Sequence, residues 1–156
     1  MKKLFLLSLV FIFVVTFWFC GSEDVKLGQW ARAKATLGDM KTIGSAIEDY
    51  MSDYYMAPGA GELTKVSDLK VFLEPFYIKV LPITDGWGNP LVYASGKVGT
   101  MSQECYSIIS YGRDGKDSGM DINNSPYLLG SVDDFNKDIC YSNGSFTYHP
   151  SPLKVE

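Results

Sequence analysis

Histidine is almost absent from this chain of 156 residues: the only one is His149, close to the C-terminus and followed by Pro150. A histidine-rich metal centre is therefore excluded, and any His-based triad would rest on that one residue, whose place in a short tail suits an exposed or capping role better. Cysteine is scarce too, with three in all and no Cys-x-x-Cys, so a dithiol redox centre is ruled out. There is no cluster of Lys or Arg, and the formal net charge is −4, which argues against nucleic acid as the partner. No phosphate-binding glycine loop, Gly-x-Ser-x-Gly elbow, dinucleotide fingerprint, internal repeat or low-complexity tract occurs. What is present is 46% hydrophobic and 21% charged residues, enough to build one cored domain and too apolar for wholesale disorder. The balance leans away from a common enzyme.

The N-terminus departs from that average. Lys2 and Lys3 precede Leu4–Phe19, in which Ser8 and Thr16 are the only polar residues. A basic start followed by an apolar run reads as an export signal, and the run is a little short for a comfortable membrane span of about 20 residues. It ends at Cys20-Gly21-Ser22, so three readings stand. Cys20 is the lipidated first residue of a mature lipoprotein, the run is an uncleaved anchor, or cleavage falls elsewhere. All three place the remainder outside the cytoplasm, and if Lys2 and Lys3 stay inside the orientation follows the positive-inside rule. Without those two lysines the charge falls to −6.

If Cys20 carries lipid, Cys105 and Cys140 remain, each in a strand-like stretch. In an oxidising compartment they are expected either to pair as a structural staple or to be two buried, unpaired thiols.

From Asp24 to Tyr55 there is no proline, and Trp30, Ala33, Leu37, Met40, Gly44, Ile47, Met51 and Tyr54 recur at helical spacing. Lys34, Lys41, Glu48 and Asp49 fall off that stripe. The pattern predicts a long amphipathic helix, stopped near Pro58-Gly59-Ala60-Gly61, with its apolar face on a sheet. A short helix is expected over Val66–Phe72, capped by Ser67 and ended by Glu74-Pro75. Strands follow at Leu91–Ala94 and Tyr106–Tyr111, with a tight hairpin at Gly96-Lys97. A final pair flanks Ser142-Asn143-Gly144-Ser145, a type I′ hairpin signal. The expected fold class is α+β, a long N-terminal helix packed on a small antiparallel meander.

Six of the twelve aspartates lie between Asp114 and Asp138: Asp114, Asp117, Asp121, Asp133, Asp134 and Asp138. Ca²⁺ takes six to eight hard oxygen ligands, and a glycine-bearing loop such as Tyr111-Gly112-Arg113-Asp114-Gly115 can supply them. The spacing is not that of an EF-hand. Asp and Gly together are also ordinary loop composition, and Arg113, Lys116 and Lys137 are near enough in sequence to neutralise part of the charge.

The order of segments resembles a known family. Asp39–Tyr50, with Pro58 closing the helix, is similar to the amphipathic helix of type II secretion protein G, the major pseudopilin. Asp85-Gly86-Trp87-Gly88-Asn89-Pro90-Leu91-Val92-Tyr93 resembles that family's Asp-x-Trp-Gly-x-Pro turn and strand. Tyr106–Gly115 is similar to the strand leading into its Asp-Gly loop, and Asp138-Ile139 to the pair closing that loop. The resemblance spans roughly 34–148. It implies a Ca²⁺ site in which Asp114 and Asp138 are the best-matched carboxylates, with Asp117 and the carbonyl of Tyr111 as further candidates. The loop here is longer, interrupted by Asn123–Leu128. The family's short prepilin leader has no counterpart, and Cys20 stands where a lipid anchor would, so filament assembly does not follow from the resemblance.

The organisation expected is a signal or anchor over 1–19, a tether and helix start over 20–33, a pseudopilin G-like domain over 34–149 and a tail over 150–156. The expected function is a non-enzymatic, membrane-tethered extracytoplasmic protein. It would contact the membrane through lipid or an N-terminal anchor and would associate with secretion-system or envelope proteins. The alternative is a stand-alone lipoprotein binding module for an envelope, peptide or carbohydrate partner, favoured if Tyr54, Tyr55, Tyr127 and Tyr141 form one exposed surface. Hydrolysis by the Asp cluster is the remaining alternative.

Overall fold

The structure is a computed structural model that describes residues 2–59, 63–97 and 104–151, with side chains described from Asp24 on except those of residues 97, 104 and 122. The expectations for Leu4–Phe19 and for lipidation of Cys20 concern side chains outside the described residues. Among the described residues no helix is long and apolar enough to cross a membrane.

Helix α1 (Lys2–Tyr54) begins well before Asp24, where the apolar period places its start, and no proline interrupts it. Strand β1 (Thr64–Lys65), a 3₁₀ turn (Val66–Leu69) and the single-turn helix α2 (Lys70–Leu73) follow. Then come β2 (Val92–Lys97), β3 (Glu104–Ser110), 3₁₀ turns at Ile122–Asn124 and Val132–Asn136, β4 (Ile139–Ser142) and β5 (Ser145–Tyr148). The strands form one five-stranded sheet in the order β1-β2-β3-β4-β5, antiparallel throughout. Short connections between sequential neighbours produce this meander, and α1 supplies the second layer.

Alternation along the strands decides which side chains meet the helix. Tyr93, Tyr106, Ile108, Ile139 and Tyr141 point inward onto Met40, Ile43 and Ile47 of α1, and Val66, Leu69, Leu73, Leu81 and Leu91 complete this core. A Cβ built at Gly44 would overlap the Tyr141 ring, so the glycine lets that ring lie against the helix backbone. The opposite face carries a smaller cluster of Tyr127, Cys140 and Tyr148, with Ile109 and Leu129 against it.

Several expectations change. The buried face of α1 is wider than one stripe: Thr36, Ile43 and Ala46 are also buried, while Tyr54 is 57% exposed. A helix covered by both a sheet and the segment 66–91 buries more than a two-sided seam would. Ser67 does not cap the short helix, because Lys65 is the residue before the 3₁₀ turn and Ser67 Oγ donates to Asp68 instead. Gly96-Lys97 is not a hairpin turn. Gly96 and Lys97 are paired with Cys105 and Glu104 in the β2–β3 ladder. The Asn143-Gly144 hairpin forms as expected, with φ of 45° and 84° and Ser142 opposite Ser145.

The disulfide is overturned: Cys105 and Cys140 are free. Cys140 lies opposite Ile109, four residues along β3 from Cys105. At about 3.3 Å per residue the two are some 13 Å apart along the strand, far beyond disulfide reach. His149 is half-buried and tied into the fold, not exposed in a tail. Tyr127 N donates to His149 O at 3.0 Å, Ser151 N donates to Tyr127 O at 2.8 Å, and the His149 ring packs on Phe146.

Candidate functional site: a turn that clasps the acidic loop

The turn Asp85–Asn89 is built around one carboxylate. Asp85 is 5% exposed, and its Oδ1 accepts from the N–H groups of Trp87 and Asn89, each at 2.9 Å. Its Oδ2 accepts from Ser110 Oγ at 2.7 Å, at the end of β3. A short acidic residue followed by Gly-Trp-Gly-Asn suits this arrangement, since Asp readily accepts from backbone two residues on. Asn89 then reaches forward, its Nδ2 donating to Gly112 O at 2.7 Å. Gly112 sits at φ 64°, close against the carbonyls of Phe135 and Lys137, a position that tolerates no Cβ.

The same turn is fastened to α1. Gly86 N donates to Thr36 Oγ1 at 2.9 Å, Arg32 Nη1 donates to Gly86 O at 3.2 Å, and Trp87 Nε1 donates to Gln29 Oε1 at 2.6 Å. A side chain at Gly86 would overlap the Arg32 backbone. Trp87 also lies 6.5 Å from Phe135, centroid to centroid. The turn thus joins the helix, the end of β3 and the acidic loop in one hydrogen-bonded node.

Within the loop the six aspartates separate by role. Asp114 is exposed, and its Oδ1 accepts from Lys116 N at 3.1 Å. Asp121 accepts from Asn123 N, capping the 3₁₀ turn that follows. Asp133 pairs with Arg113 at 3.1 Å, and Asp134 pairs with Lys137 at 2.8 Å while forming a capping box with Ser131. Of the two remaining, Asp138 is fully buried and accepts from Ser118 N, whereas Asp117 is exposed and accepts from Gly119 N at 2.9 Å. Burial raises the Asp138 pKa and the neighbouring Asp117 raises it further, although Ser118 opposes both. The Tyr111 hydroxyl is also raised, by burial and then by the charges of Asp117 and Asp138.

The structure therefore brings together Asp117, Asp138 and Tyr111, but not Asp114. Among the described residues no three His, Cys, Asp or Glu side chains gather as a ligand set. The four tyrosines do not make one exposed surface: Tyr127 and Tyr141 are buried, and Tyr54 and Tyr55 are exposed. The clasp formed by Asp85, Asn89 and Ser110 was missed by motif reading. Its signal was the Asx-turn composition of Asp85-Gly86-Trp87.

A long N-terminal helix packed on a five-stranded antiparallel meander defines the class, an α+β fold of pilin type. The family model for "Type II secretion system (T2SS), protein G" matches residues 25–126, more than half of the chain. The chain belongs to the type II secretion protein G family, which is structural rather than enzymatic. The match takes in the clasp, Asp114 and Asp117, and stops before Asp138 and the final hairpin, which the resemblance in sequence includes. No curated protein and no solved structure matches the chain.

Proposed function

We propose that the chain is a structural, non-catalytic component of a type II secretion or related envelope apparatus. It is held to the membrane by its N-terminal segment, through lipid on Cys20 or an uncleaved apolar anchor, with the domain outside the cytoplasm. The observation that carries this reading is the clasp. The two segments by which the chain resembles the family, Asp85–Asn89 and the Asp-Gly loop, are bonded to each other through Asn89, Asp85 and Ser110. Crosslinking of the full chain in membranes tests it. Adducts with secretion components support the proposal, and their absence alongside efficient crosslinking of other envelope proteins sinks it.

The loop fits a hard divalent cation in part. Asp138 is buried beside a second carboxylate, an arrangement that disfavours ionisation unless positive charge is supplied. We assign Ca²⁺ to Asp117 and Asp138, with the Tyr111 carbonyl in the same proposed set. Asp114 is exposed and is not among the charges that act on Asp138 or Tyr111, so it stands apart from this set. Bound Ca²⁺ would supply charge neutralisation and would order the loop against the clasp; it carries no reaction. Thermal unfolding of the full chain in detergent, with Ca²⁺ and with chelator, reads this directly. At 100 times its Kd a ligand of the folded state adds about 2.7 kcal/mol, a rise of about 10 °C for a domain of this size. The rise should vanish in Asp138→Asn. An equal Tm with Ca²⁺ and chelator in the unaltered protein refutes the cation site and leaves the secretion reading standing.

A further inference from the structure

At the C-terminal end of α1, far from the acidic loop in sequence, a half-open groove of about 580 Å³ lies between the helix and the segment after it. Its rings meet both stacked and edge-on. Tyr50 stacks on Tyr54 at 4.4 Å, and Phe72 and Tyr77 stand edge-on to Tyr50 at 6.2 and 5.5 Å. Two carboxylates, Asp53 and Glu74, share this lining. Asp53 accepts from Tyr77 Oη at 2.8 Å and Glu74 from Leu81 N at 2.7 Å, and among the described residues neither is ion-paired. Two of the lining side chains, Phe76 (90% exposed) and Val71 (82%), stand open to solvent, and Val80 (71%) follows in the same segment. Apolar surface of this extent within one ten-residue stretch marks an interaction site, not core spillover.

We propose that this groove docks a cationic, apolar segment of a partner protein, seating a Lys or Arg side chain against the rings beside Asp53 and Glu74. Ring faces attract cations through their quadrupole, and carboxylates that have no ion pair among the described residues select positive charge over neutral ligands. The exposed Val71 and Phe76 line the same groove, so it offers apolar contact to more than one side chain of the partner. The two carboxylates also disfavour an anionic lipid surface. This inference goes beyond the secretion reading and depends neither on it nor on Ca²⁺, because its test contains no secretion component.

The probe is a fluorescently labelled peptide with arginine between two leucines, compared with the same peptide carrying neutral citrulline, titrated with the purified full chain. The arginine peptide should bind saturably, more weakly as salt rises, and about tenfold more tightly than the citrulline peptide. The double variant Asp53→Asn/Glu74→Gln keeps both acceptor oxygens and should lose about the same factor at unchanged Tm. If that variant unfolds, Tyr54→Ala, at an exposed ring, serves in its place with the same expected loss. Equal binding of the two peptides, no saturation at millimolar peptide, or full binding by the variants overturns the proposal. It is also overturned if the chain self-associates, or binds phosphatidylcholine–phosphatidylglycerol vesicles, through this face, as shown by loss of either in Phe76→Ser.

Discussion

Asp85 satisfies a buried charge with three donors from two elements: the Trp87 and Asn89 N–H groups and the Ser110 hydroxyl. Asp85→Ala removes the acceptor and leaves the buried Ser110 hydroxyl and two part-buried N–H groups unpaired, which costs more than the net worth of the bonds themselves. A loss of about 3 kcal/mol is expected, read as a lower denaturant midpoint at unchanged m-value. The thiols provide a second test at this scale. In Cys20→Ser, Cys105 should react with a thiol reagent in the native state and the buried Cys140 only on unfolding, without reductant. Reaction of neither thiol in denaturant without reductant would restore the disulfide. The pairing was a reasonable reading of parity, yet register decides it. Two strand cysteines share a face and still miss each other when the ladder offsets them by four residues.

Helix α1 shows how the same substitution changes sign along one element. Gly44 lies under the Tyr141 ring, so Gly44→Ala forces that ring or the helix to move, a cost of about 1–3 kcal/mol. Gly38 has nothing within 4 Å of a built Cβ, and Gly38→Ala should stabilise by up to about 1 kcal/mol through helix propensity. Paired chemical denaturation of the two variants checks both signs. If both stabilise, the tight contact of α1 with β4 is refuted. The existence and period of this helix were legible because its apolar residues recur from Trp30 to Tyr54, over about seven turns, and the Asn143-Gly144 hairpin because few sequences accept two positive φ values in succession. The Ser67 cap and the Gly96-Lys97 turn failed for a shared reason. Local signals of one or two residues yield to ladder pairing and to the packing of Val66 and Leu69 into the core.

Across the molecule, buried charge couples the acidic loop to pH. The folded-state pKa of Asp138 is raised by burial and by Asp117, so its contribution to stability is full below the ordinary value of 3.8 and is lost as pH rises through the raised value. In chelator, Tm should therefore be higher in mildly acidic solution than at neutral pH, and Asp138→Asn should reduce that slope. Asp39, also raised by burial, keeps a residual slope of the same sign. Asp134 acts oppositely. Against the desolvation that raises it, Lys137 and the Ser131 and Gly130 N–H groups hold its pKa low, so its contribution is lost only as pH falls below the ordinary carboxylate range. An identical profile for Asp138→Asn would show that this carboxylate is not the buried charge of the loop. What the sequence determined alone was everything carried by period and by residues with special backbone or turn chemistry: the long helix, the meander, the final hairpin and the family's Asp-Gly-Trp-Gly-Asn-Pro turn. What only the tertiary structure decided was which aspartates meet, that Asp85 and Asn89 clasp the loop, and that Tyr50, Phe72 and Tyr77 converge on one groove. Those outcomes depend on contacts between residues tens of positions apart, set by how α1 lies on the sheet and invisible to any local pattern.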